Sequence, residues 1–167
     1  MTIKVGDKLP EGALKEFLET EQPGCAIGPN EFQVGALAKG KKVVIFGLPG
    51  AFTPTCSAKH VPGYIENFEK LRGKGVDEIW CISVNDAFVM GAWGRDQKAR
   101  GKIRMMADGA GTFTRSLGMD REIPGMGLRS QRYSMLVEDG VVKSVNLEAS
   151  GKFEVSDAQS MLKAIQS

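Results

Sequence analysis

The segment "EIWCISV", residues 78 to 84, is apolar almost without interruption. A strand with one wet face alternates apolar and polar residues, so a continuous apolar run of strand length belongs in a central strand covered on both faces. Such a strand needs cover on both faces, and helical segments can provide it. The neighbouring sequence supplies them. Lys42 to Leu48 is a second short β-branched run, stopped by Pro49-Gly50. Between the two runs, "TCSAKHVPGYIENFEKLRGKG" places Val61, Tyr64, Ile65, Phe68 and Leu71 at helical spacing, with Gly73 and Gly75 to end the helix. Pro62 falls inside that pattern and predicts a break or kink near His60.

Further along, Asp86 is placed to cap a helix carrying Phe88, Val89, Ala92 and Trp93, and "IRMMAD" (103 to 108) reads as another strand. Two extended runs flank Asp139-Gly140, the strongest short hairpin signal in the chain. Ser156-Asp157-Ala158-Gln159 has the pattern of a capping box opening a last helix, with Met161, Leu162 and Ile165 on its inner face. Met90, Met105, Met106 and Met135 sit in or beside apolar runs and read as core. The order is strand, helix, strand, helix, strand, then hairpin and helix. This predicts an α/β fold with a mixed β-sheet flanked by helices, a βαβ half followed by a ββα half, as in thioredoxin-like proteins. With no repeat, low-complexity tract or linker, one domain over residues 1–167 is expected.

Composition excludes several function classes. Twenty-two basic and 20 acidic residues leave a net charge of +2, which gives no electrostatic case for nucleic acid. No apolar stretch approaches the roughly 20 residues of a membrane span, and "MTIKVGDKLPEG" lacks a signal-peptide pattern, so a cytoplasmic protein with reduced thiols is expected. Cys25, Cys56 and Cys81 form no C-x-x-C, and with a single histidine they complete no ordinary zinc site.

The chemistry concentrates in "LPGAFTPTCS", residues 48 to 57. Cys56 falls just past the carboxyl end of a central strand, in the first turn of the next helix, where reactive groups of open α/β sheets collect. A free cysteine of this kind is by type a small buried hydrophobe. Position argues otherwise, since unpaired amides and the positive end of the helix favour a thiolate. A free thiol is only about 3% ionised at pH 7. The helix end contributes about 0.3–1 kcal/mol, so a cation or strong donors must add the rest. Thr53 can offer a hydroxyl, and an arginine is the obvious charge.

Pro49-x-x-x-Thr53-x-x-Cys56 resembles the active-site motif of the peroxiredoxins. "PGAFTPTCSAKHVPGY", "CISVNDAFVM", "MMADGAGTF" and "QRYSMLVEDGVVKSVN" are similar, in order and spacing, to the type II (peroxiredoxin-five) class, over a span from about Val5 to the C-terminus. The resemblance implies a thioredoxin-like fold and thiol-dependent reduction of hydrogen peroxide and organic hydroperoxides. It also implies a cysteine nucleophile at Cys56 with Pro49, Thr53 and Arg132 around it, no metal or organic cofactor, and a homodimer. On that reading Thr53 and the turn amides hold the peroxide oxygens in line, while Arg132 favours the thiolate and the charge on the leaving oxygen. Pro49 and Pro54 stiffen and shield the turn.

The sequence also admits rival readings. His60, four residues after Cys56, would suit a Cys-His acyl-transfer enzyme, although no Asn or Asp is evidently placed to orient it. A thioredoxin-like binding or chaperone module is the non-enzymatic alternative. Arg129 competes with Arg132; an odd number apart, the two fall on opposite faces if both lie in one strand, and the resemblance through "RYSM" selects Arg132, leaving Arg129 to the surface or a dimer contact. Cys25, in "EQPGCAIGP", reads as an incidental loop thiol. Members of the class that carry a resolving cysteine near the final helix have it within the segment that here reads "GKFEVSDAQ", where Val155 stands instead. Cys81 matches the second cysteine of plant-like members, yet its strand position argues for burial. The expected cycle is therefore of the one-cysteine type, recycled by glutathione and glutaredoxin, with thioredoxin as the alternative.

Overall fold

In a computed structural model, which describes residues 1–165, seven strands form one sheet in the order β2-β1-β5-β4-β3-β8-β9. The three central strands, β3 (Lys42–Gly47), β4 (Glu78–Ser83) and β5 (Arg104–Ala107), run parallel. The hairpin of β8 (Tyr133–Glu138) and β9 (Val141–Leu147) adds antiparallel to β3. Its turn uses Asp139 and Gly140 at φ of 48° and 78°, the left-handed conformations that a two-residue hairpin turn requires.

Side-chain alternation sorts the sheet into two cores. Val44 and Phe46 of β3, Ile79 and Cys81 of β4 and Met105 of β5 face one side. That side is covered by α2 (Val61–Glu66), α3 (Phe68–Gly73), α4 (Ala87–Gln97) and α6 (Ala158–Ala164). Val43, Ile45, Trp80, Ile82 and Met106 face the other, against α1 (Val34–Ala38) and α5 (Thr112–Ser116). The α/β class, the mixed sheet and the buried methionines are borne out.

Several local expectations are corrected. The irregularity expected near His60 takes the form of a π-helical turn over Cys56–His60 and not a break: the Val61 amide donates to the Cys56 carbonyl five residues back. Widening the turn relieves the clash that a proline ring makes with the carbonyl four residues before it. On α4, Asp86 caps as expected, accepting from the Val89 amide at 2.8 Å, but the buried face is Ala87, Met90, Trp93 and Gly94 while Phe88 is 65% exposed. At α6 the cap is Asp157, which accepts from the Ser160 amide. Ser156 is drawn into the interior instead, and Gln159 reaches Asn67 at 3.1 Å rather than closing a capping box.

Two hairpins lie outside the sequence expectations. In β1 (Ala13–Leu18), paired with β2 (Gly28–Gln33), an inward position is held by Glu16, whose carboxylate meets Arg104 at 2.7 Å, so the apolar alternation is interrupted. The ribbon of β6 (Asp120–Ile123) and β7 (Gly127–Ser130) is short and polar, and it stands apart from the main sheet.

Candidate active site

The chain leaves β3 at Gly47 and turns through Leu48 to Thr53 before the helix opens at Pro54. The turn is tied at several points. The Ala51 amide donates to Asn85 Oδ1 at 3.0 Å, and the Ser83 hydroxyl holds that same oxygen from the end of β4 at 2.6 Å. Phe52 takes a positive φ of 61°, a strained conformation for a bulky residue and the kind that concentrates at functional turns. Thr53 Oγ1 donates to the Gly50 carbonyl at 2.7 Å, so its proton is already engaged and its lone pairs are what it offers outward. This differs from the donor role expected of it.

Cys56 follows in the first helical turn, fully buried, where helix amides have no intrahelical acceptor. Trp93 Nε1 anchors the next residue by donating to Ser57 Oγ at 3.0 Å. The cation arrives from the segment between β7 and β8. Arg132 Nη2 donates to Cys56 Sγ at 3.2 Å, and Arg132 Nη1 lies 2.9 Å from His60 Nδ1. An arginine only donates, so His60 Nδ1 is the acceptor and the ring proton sits on Nε2, which gives it to the Ser156 carbonyl at 3.1 Å. The π-helical turn aims Cys56 and His60 at one guanidinium.

Sequence reading did not find what stands behind His60. The same Ser156 carbonyl accepts from the Tyr64 hydroxyl at 2.9 Å. Glu148 holds the segment in place, accepting from the amides of Glu154, Val155 and Ser156 and from the Ser156 hydroxyl. Burial alone would push the Glu148 carboxyl up; those four donors outweigh it and hold it below the usual carboxylate value. Phe46 and Phe153 enclose the imidazole, with centroids 4.7 and 5.0 Å away. No spacing rule links residues 60, 132, 148 and 156, which come from four separate segments.

The enclosure has a measurable consequence. Burial first, then the Arg132 charge, pushes His60 down to about 3, against about 6.5 in an unfolded chain. Between those values the unfolded chain takes up a proton that the folded one refuses. The stabilisation is complete above about pH 6.5 and is lost as the pH falls toward 3. His60 is the chain's only histidine. Urea unfolding between pH 6.5 and 5 is therefore expected to show stability declining with acid in the wild type and a flatter profile in His60→Gln. Equal slopes would mean that His60 titrates normally in the folded protein.

Of the other sequence candidates, Pro49 walls the site and its carbonyl accepts from Arg129 Nη1 at 3.4 Å. Arg129 is thus half-buried against the active-site turn, not on the free surface; a Cβ on Gly50 would come within 2.7 Å of its Nη1. Cys81 faces the same core as Cys56 and is fully buried. Burial, then the neighbouring Cys56, pushes its thiol well above its ordinary value. Cys25 is partly exposed in a tight turn bridged to Gln22.

A thiol at the carboxyl end of a central parallel strand, in a helix's first turn and held by a guanidinium, defines a cysteine-based redox enzyme built on a thioredoxin-like fold. The Redoxin family pattern matches residues 4–162. The chain is 48% identical to Peroxiredoxin-2B of Arabidopsis thaliana, covering 98% of both chains. It also resembles the crystal structure of reduced Prx3 of Vibrio vulnificus in complex with hydrogen peroxide, with TM-score 0.91, 46% identity, and 99% and 100% of the two chains covered. A Burkholderia cenocepacia protein provisionally described as a thioredoxin reductase is similar at TM-score 0.99 and 58% identity over 100% of both chains. The present chain has no C-x-x-C pair with which to perform disulfide exchange of that type. It belongs to the Redoxin family and, within it, to the type II peroxiredoxins, and it is a thiol peroxidase.

Proposed function

We propose that Cys56 is the peroxide-reacting residue and that a low-molecular-weight thiol, glutathione, returns it to the reduced state together with glutaredoxin. The observation that carries the first half is the Arg132 Nη2 to Cys56 Sγ contact of 3.2 Å, since a charge-assisted hydrogen bond stabilises negative charge on sulfur. In the oxidative step the thiolate attacks the terminal peroxide oxygen. The S–O bond forms, the O–O bond breaks, and the leaving oxygen takes the hydroperoxide's own proton and departs as alcohol or water, leaving a sulfenate that solvent protonates. Thr53, with its own proton held by Gly50, is suited to accept the hydroperoxide's O–H, while first-turn amides and Arg132 face the leaving oxygen. That the similar Vibrio vulnificus protein was crystallised in complex with hydrogen peroxide supports a peroxide substrate here. Trapping with dimedone after stoichiometric peroxide is expected to label Cys56 before Cys25 or Cys81; labelling of another cysteine first would refute it.

The one-cysteine cycle draws support from Cys81. Its thiol is buried in β4 and held protonated, which makes it a poor attacker of a sulfenic acid. Cys81→Ser is expected to keep most turnover with glutathione plus glutaredoxin, and intact-mass measurement should find glutathione on Cys56. A Cys56–Cys81 disulfide as the main oxidised product, with turnover lost in Cys81→Ser, would overturn the scheme. Direct reduction by thioredoxin is the second reading, separated by supplying each reductant alone. A cytoplasmic setting, where glutathione is abundant, belongs to the same proposal. So does a homodimer, which the exposed aromatic residues Phe52 and Phe88, at 53% and 65%, support.

A further inference from the structure

Beside the Cys56 turn lies a cavity of about 270 Å³, walled by Pro49, Thr55, Arg121, Arg132, Lys152 and Phe153 among others. It sits at the small end of the range for small-molecule sites, about 300–1,000 Å³. Its charge is unusual. The ion pairs among the described residues involve Lys4, Lys41, Lys42, Arg95 and Arg104, and none involves Arg121, Arg129, Arg132 or Lys152. Arg121 stands directly opposite Arg129 across the β6–β7 ribbon, a like-charged pairing that costs stability in a two-stranded ribbon. Alternation along β6 leaves Arg121 and Ile123 half-buried while Asp120 and Glu122 point to solvent. The one carboxylate lining the cavity, Glu148, is taken up by its four donors in the 154–156 segment. Arg132 on the cavity wall is engaged by Cys56 and His60, which leaves Arg121 and Lys152 as lining cations with no carboxylate partner, and such a pair marks a place for an anion.

We infer that this cavity is the docking site for a carboxylate-bearing thiol, with Arg121 and Lys152 holding the carboxylates while the thiol is presented to oxidised Cys56. The inference rests on Cys56 as the oxidised residue and a small thiol as its reductant. Two features favour a thiol over hydrogen peroxide. The cavity is larger than a hydrogen peroxide molecule needs, and it borders the turn at Pro49 and Thr55 without touching Cys56 itself. Arg132 lines the cavity and also holds Cys56 Sγ at 3.2 Å, so a ligand there lies one side chain away from the sulfur. The thiol sulfur then attacks the sulfenic acid sulfur, an S–S bond forms, the S–O bond breaks, and the oxygen leaves as water with the thiol's proton. A second thiol displaces the first as a disulfide and restores Cys56.

The test oxidises wild-type and Arg121→Gln/Lys152→Gln protein with one equivalent of peroxide and follows loss of the sulfenic acid with glutathione, mercaptosuccinate or 2-mercaptoethanol. Taking the wild-type to variant ratio for each thiol cancels its intrinsic reactivity. The variant is expected to be about fivefold slower with the two acids, unchanged with 2-mercaptoethanol, and unchanged in its oxidation by hydrogen peroxide. Raising salt from low to about 0.15 M, where the screening length is about 8 Å, should slow only the wild type with the acids. Equal losses with all three thiols, or no loss with either acid, would overturn the site. In the second case, continued reduction by glutathione would leave the proposed cycle standing. A wild-type sulfenic acid that reacts with neither acid would overturn site and cycle together. A loss confined to oxidation by a carboxylate-bearing hydroperoxide, with tert-butyl hydroperoxide unaffected, would move the cavity to the oxidative step and also refute the thiol assignment.

Discussion

Replacing Cys56 by serine is expected to reduce peroxide consumption to the background rate. A serine hydroxyl is not ionised near neutrality and forms no stable adduct equivalent to a sulfenic acid, so the covalent route closes. Neither remaining thiol is placed to reopen it. Cys81 is fully buried, with its thiol pushed well above its ordinary value. Cys25 lies in the turn bridged to Gln22, and no guanidinium contacts it among the described residues. The measurement is peroxide loss under excess thiol and catalytic protein, with dimedone labelling as the check on which sulfur reacts. Retention of more than a trace of activity would place the chemistry on another residue.

Arg132→Met is expected to slow the reaction of reduced protein with peroxide by roughly ten- to a hundredfold. The basis is the loss of a hydrogen bond to a charged group, worth about 1.5–3 kcal/mol, at about 1.4 kcal/mol per tenfold. The guanidinium engages two partners at once, Cys56 Sγ through Nη2 and His60 Nδ1 through Nη1. An ammonium restores the charge but has no planar fork, so Arg132→Lys should fall between wild type and Arg132→Met. Rapid-mixing measurement of the second-order rate constant separates the three proteins. An unchanged rate in Arg132→Met would remove Arg132 from the site, and full recovery by lysine would show that charge suffices without the two-pronged geometry.

Much of this protein is written locally in its sequence. The apolar run at 78–84 reads as a strand covered on both faces, and its alternation with helical patterns on either side carries the α/β class. Asp139-Gly140 specifies its hairpin because both positions need left-handed backbone. Pro49, Thr53 and Cys56 are separated by less than three helical turns of chain, so their proximity needed no tertiary information. Arg132 was legible only through the likeness of "RYSM" and its neighbours to a known motif, since nothing in its spacing selects it over Arg129.

Tertiary structure decided the rest, where partners come from distant segments or where a polar residue occupies an inward position. Glu16 is buried in β1 because Arg104, far along the chain, compensates its charge, so the apolar pattern that betrays a strand was absent. Ser156 reads as a helix cap, yet Glu148 draws in its amide and hydroxyl while His60 and Tyr64 take its carbonyl, leaving the cap to Asp157. Arg129 and Arg132 do not share a strand, since β7 ends at Ser130 and β8 begins at Tyr133, so alternation does not separate them; the β6–β7 ribbon stands apart from the sheet and brings Arg129 against Pro49. Sequence patterns report the periodicity of one element at a time. The hydrogen bonds that aim Arg132 at Cys56 join four separate segments of chain, and only the packed molecule brings those together.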